Sequence, residues 1–64
     1  MIVKFFEIKN TGSTQTEALM TEIDLFKIPR VGERIYMSDT KTQYKVKSVI
    51  YCLLDNEIHI YVLK

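Results

Sequence analysis

The sequence predicts an all-β domain, a small five-stranded barrel or barrel-like antiparallel sheet. Three observations carry that expectation. β-Branched and aromatic residues concentrate in the runs 2–9, 34–38, 43–54 and 57–64. Clusters of Gly, Pro, Asn, Asp, Ser and Thr separate these runs as turn signals. The last two runs alternate on the two-residue period of a pleated strand. A fifth segment, 14–27, can be read in two ways.

In the run 2–9, Ile2, Phe6 and Ile8 share one parity, and Val3 and Phe5 the other. Such a strand is either covered on both faces or leaves one face for a partner. Asn10-Thr11-Gly12-Ser13 then forms a turn cluster. In segment 14–27, Thr14-Gln15-Thr16-Glu17 fits a capping box, and Leu19, Ile23 and Phe26 would share a helix face. That alternative is an α+β domain with a short helix at 14–26. Read as a strand, Leu19, Thr21, Ile23 and Leu25 alternate with Met20, Glu22 and Asp24, and 18–26 returns along 2–9 as a hairpin. The strand is the primary expectation.

Pro29 fixes φ and lacks an N–H, so it interrupts any helix or central strand. Gly32 permits a tight turn with positive φ, and Glu33 leads into the strand 34–38. The polar stretch Asp39-Thr40-Lys41-Thr42 turns the chain into 43–54, and 57–64 is its return. Asp55-Asn56 would form a two-residue hairpin loop, because both residues tolerate positive φ. That loop pairs Leu54 with Glu57, Leu53 with Ile58, Tyr51 with Ile60 and Val49 with Val62, which gives one apolar face. Cys52, His59, Ile50, Tyr61, Ser48 and Leu63 fall on the other face. Upstream, Tyr44 and Val46 alternate with Lys45 and Lys47, so the inward parity changes near Lys47-Ser48. A β-bulge or barrel corner there would cause the change. The 28–35 stretch then becomes the corner that feeds a short strand into a long bent hairpin.

The 64 residues suffice for one domain. A chain of this size buries only about 60% of its unfolded surface, so disulfides, metals or association usually support it. Cys52 has no second cysteine to pair with, and one Cys and one His cannot close a four-ligand zinc site within a monomer. A homo-oligomer without cofactor or metal is therefore the expectation. The net charge of +1 gives no global pull toward nucleic acid or membrane. No signal-peptide pattern and no run of membrane-spanning length is visible, which makes a cytoplasmic, non-membrane protein the default.

Pro29-Arg30-Val31-Gly32-Glu33-Arg34-Ile35, then Tyr44-Lys45-Val46-Lys47-Ser48-Val49, then Ile58-His59-Ile60-Tyr61-Val62 form a P-x-x-G-E-x-I … Y-x-V-x-x-V pattern. It resembles that of small uncharacterised bacterial and phage proteins with an SH3-like small β-barrel, over roughly 25–63. The resemblance implies a barrel-type turn and hairpin and no catalytic residue. KOW-type barrels share an opening such as Gly32-Glu33-Arg34-Ile35. They also carry a later glycine in a basic loop, which 39–43 lacks, and this weakens an RNA-binding inference.

Cys52 and His59, opposite each other in the expected register, could be a thiolate–imidazole dyad. No helix N-terminus or glycine nest supplies an oxyanion site, so a half-exposed cysteine beside a surface histidine is preferred. Glu17, Glu22, Asp24 and Glu33 lack metal-loop spacing and read as a solvated face. No P-loop, dinucleotide fingerprint or hydrolase motif is present. Arg30, Arg34, Tyr36, Tyr44, Lys45 and Lys47 make a basic–aromatic candidate interaction surface. The functional expectation is a non-enzymatic interaction module that binds protein, either itself or a cellular target. Size and resemblance add a phage-type inhibitor that occludes a host or defence protein. The alternative is a nucleic-acid-binding barrel.

Overall fold

A computed structural model describes residues 2–24, 28–38 and 40–64. Among these, five strands form one sheet: β1 (Ile2–Thr11), β2 (Thr14–Asp24), β3 (Arg34–Met37), β4 (Thr42–Cys52) and β5 (Glu57–Leu63). The sheet order is β2-β1-β5-β4-β3. The all-β expectation holds, and the sheet is barrel-like without closing: β2 and β3 are its two edges. The helix alternative at 14–26 is overturned where residues are described, since Thr14–Asp24 pairs with β1 along its whole length. Leu25 and Phe26, which the sequence reading placed on that strand, lie outside the described residues, as does Asp39 of the polar turn.

Three of the four strand pairings are antiparallel, and the central one, β1 with β5, is parallel. Strict alternation cannot reveal this, because side-chain period is two in either direction. The central pair supplies most of the core. Val3 and Phe5 of β1, Tyr44 and Val46 of β4, and Ile58, Ile60 and Val62 of β5 are buried on one face. Met20, Ile28, Ile35, Met37 and Val49 pack against them. A single sheet can bury one face this completely only by coiling, and two bulges help it do so. In β2, Phe5 pairs with Thr21 but Phe6 with Leu19, which leaves Met20 as the extra residue. In β4, Val46 pairs with Val62 but Ser48 with Tyr61, which leaves Lys47 as the extra residue. The second bulge is the parity change expected at Lys47-Ser48.

The turn expected at Pro29-Gly32 is also present. Glu33 N–H donates to Arg30 O at 3.1 Å, and Gly32 has φ 93° at the third position, as a type II turn requires. Gly32 N–H donates to Val46 O, and Val46 N–H to Glu33 O, both at 2.9 Å. These bonds tie the corner to β4 beside its bulge.

The β4–β5 hairpin departs from its expected register by two residues. Cys52 faces Glu57, Tyr51 faces Ile58, and Val49 faces Ile60. The two-residue loop fails because only Asn56, at φ 55°, adopts positive φ, whereas a type I′ turn needs it at both loop residues. Residues 53–56 form the loop instead, closed by Asn56 N–H to Leu53 O at 3.4 Å. A shift of two preserves which face each residue occupies. It does separate the proposed Cys52–His59 pair, since His59 lies opposite Ile50.

Candidate functional site

The β4–β5 hairpin carries two exposed chemistries at its two ends. At its open end, the Gly32 corner delivers β3 so that Arg34 pairs with Lys45 and Tyr36 with Gln43. Direct antiparallel partners project to the same face, so two cations stand side by side with a tyrosine and an amide next to them. Ile35 and Met37, of the alternate parity, pack on the core. Arg34, Gln43, Tyr44, Lys45 and Lys64 line a shallow pocket of about 250 Å³. Arg34 also borders a second hollow of about 220 Å³, lined by Ile28, Pro29, Glu33 and Ile35. The Glu33 carboxylate accepts the Arg30 backbone N–H at 2.6 Å, which commits it to the turn.

Five of the six sequence candidates are therefore surface groups. Arg30 is exposed on the turn, Arg34, Tyr36 and Lys45 form one patch, and Lys47 is exposed at the bulge. Tyr44 is corrected: it is 3% exposed and belongs to the core. It shares parity with Val46, and that alternation is what placed both on the inward side. Gln43 and Lys64 were missed, because neither lies in a basic run and only the folded hairpin brings Lys64 next to Lys45.

At the closed end, Ile50, Tyr51, Leu53 and Leu54 are all exposed, Leu53 at 85% and Leu54 at 102%. The sequence reading had paired the two leucines with Ile58 and Glu57. The four-residue loop releases them from the sheet. Asn56 stands at the loop position where glycine is most favoured, and a longer loop was the competing choice.

Between the two ends, the outer sheet face is open. Phe6 stacks on Tyr61 at 5.2 Å between ring centroids and lies tilted against His59 at 5.1 Å. This resolves the two-sided apolar pattern of β1: one face fills the core, and the other carries a lateral aromatic cluster. Glu57 anchors the cluster's end, with Oε1 3.0 Å from His59 Nε2 and Oε2 3.0 Å from Lys4 Nζ. The hydrogen bond from His59, then that from Lys4, holds the Glu57 carboxyl below its ordinary value. The same Glu57 contact raises Lys4. Burial, and then the charge of Glu17, raises Tyr61. Among the described residues, no three His, Cys, Asp or Glu side chains converge as a metal site would need, and no helix is long and apolar enough to cross a membrane.

No protein family, no curated protein and no solved structure matches this chain.

Proposed function

We propose that this chain is a non-enzymatic interaction module that binds protein, a second copy of itself or a cellular target, through the closed end of the β4–β5 hairpin. The observation that carries this reading is the exposure of Leu53 and Leu54 at the tip, with Ile50 and Tyr51 exposed on opposite faces of the strand that leads to it. Fully burying one leucine is favourable by about 1.5–3 kcal/mol. Adjacent leucines left in water on one loop offer a surface that another protein can cover. The tip is also pre-organised, because its strands are rooted in Ile58, Ile60 and Val46 of the core, and little ordering cost remains for association. A second copy is a natural partner for a chain whose described residues include seven buried core side chains. Occlusion of a host or defence protein, the phage-type activity that the SH3-like resemblance implies, would use the same tip.

The test is light scattering at micromolar concentration, together with a nuclease-treated pull-down from the native host, for the wild type and for Leu53→Asp with Leu54→Asp. The expected result is a dimer or larger species, or a nuclease-resistant protein partner, that the double substitution removes. A monomer that captures nothing would refute the reading. The alternative, nucleic-acid binding, draws on Arg34, Lys45 and Lys47 standing exposed near Tyr36. It predicts gel retardation that falls steeply with salt, and no retardation at low salt ends it.

A further inference from the structure

The open end of the hairpin holds a charge arrangement that folding alone does not favour. Arg34 and Lys45 are direct cross-strand partners, and like charges in that position repel. Lys64 joins them around one pocket of about 250 Å³, with Gln43 offering an amide. Among the described residues no Asp or Glu lines this pocket, and none of the three cationic side chains makes an ion pair. The neighbouring Glu33 is engaged by the Arg30 N–H. Even with a carboxylate on Lys64 set against its own ammonium, Arg34 and Lys45 leave the pocket positive.

We propose that this pocket binds the phosphate of a nucleotide, with the base stacked on Tyr36. Arg34 supplies the planar fork that matches phosphate oxygens, and the lysines supply point charges. Gln43, which lines the pocket, is the cross-strand partner of Tyr36. Tyr36 is 59% exposed and lies two residues along β3 from Arg34, on the same face. An exposed aromatic one step from a phosphate site is how bases are held without sequence readout.

The test is a titration of the isotopically labelled chain, followed by amide NMR at low salt, with inorganic phosphate, adenosine 5′-monophosphate and a short oligodeoxythymidylate. Phosphate is expected to shift Arg34, Gln43, Lys45 and Lys64. The nucleotide is expected to bind more tightly and to shift Tyr36 as well. Arg34→Gln with Lys45→Gln should weaken nucleotide binding about tenfold or more, because two charge-assisted contacts are lost. Tyr36→Ala should reduce the nucleotide's affinity to that of phosphate. Affinity that rises with strand length makes a nucleic-acid strand the source of the phosphate, and equal affinity makes it a free nucleotide. The proposal is overturned by no shifts, by shifts spread equally over Lys4, Lys9 and Lys41, by a double variant that binds undiminished, or by a nucleotide that binds no better than phosphate.

Discussion

One pair of strands, β4 and β5, ends in two opposite chemistries. The closed end exposes Ile50, Tyr51, Leu53 and Leu54, while the open end gathers Arg34, Lys45 and Lys64 around a pocket. From Lys45 to Leu53 the chain runs on the order of 25 Å at the usual rise of a strand. Between them lie Val46, Ile58, Ile60 and Val62, all buried. The middle of the hairpin serves folding, and its ends do not: a leucine left in water adds nothing to stability, and two cations side by side cost a little. A core that is already small does not gain from either end, so both ends point to contacts outside the chain.

The largest expected effect comes from breaking the middle. Ile60→Ala should cost about 2–5 kcal/mol, read from chemical denaturation, and both ends should lose order in the same transition. Separate transitions would mean that the hairpin is not one rigid element. Gly32→Val comes next. No heavy atom lies within 4 Å of an added Cβ there, so only the φ of 93° opposes it, at about 1–2 kcal/mol. A neutral result would contradict the turn that docks on Val46. At the open end, Arg34→Gln with Lys45→Gln should leave stability unchanged or raise it by a few tenths of a kcal/mol, about the size of one cross-strand repulsion. A clear loss of stability would show those cations serving the fold.

The smallest effect concerns Glu57, at the closed-end root of β5. Its folded pKa lies below the ordinary 4.5, so its contribution is present above that value and fades as pH falls through the folded value. Lys4 lies above its ordinary 10.5. Its contribution is complete below 10.5 and fades as pH rises through the raised value. Thermal midpoints of wild type and Glu57→Gln should therefore differ slightly near neutral pH and converge in acid. A gap that persists at low pH would assign the effect to packing instead of charge.

Much of this arrangement was legible in the sequence. The change of parity at Lys47-Ser48 located the β4 bulge, since a strand that changes its inward set without ending does so through a bulge or a barrel corner, and the register shift shows the bulge. Pro29 and Gly32 located the corner for similarly local reasons. The hairpin register was not legible, because the turn type depends on whether Asp55 takes positive φ, and it does not. The parallel pairing of β1 with β5 was hidden too, because partner and direction are long-range properties that leave no trace in local alternation. The site followed the same division. Arg34, Lys45 and Tyr36 were grouped by their basic and aromatic chemistry, with the buried Tyr44 wrongly among them. Lys64 could join them only after the hairpin was closed, and the two leucines could reach the surface only with the longer loop.

The measurement that bears most directly on the account is protein association of the wild type against Leu53→Asp with Leu54→Asp, with Arg34→Gln and Lys45→Gln as the control at the other end. Both leucines are exposed, so the first pair should change stability by no more than about 0.5 kcal/mol. The predicted result is that association, with itself or with a nuclease-resistant partner, is lost in the leucine variant and retained in the basic-end variant. Association that survives the leucine substitutions would contradict the assignment of the closed end as the protein-binding surface.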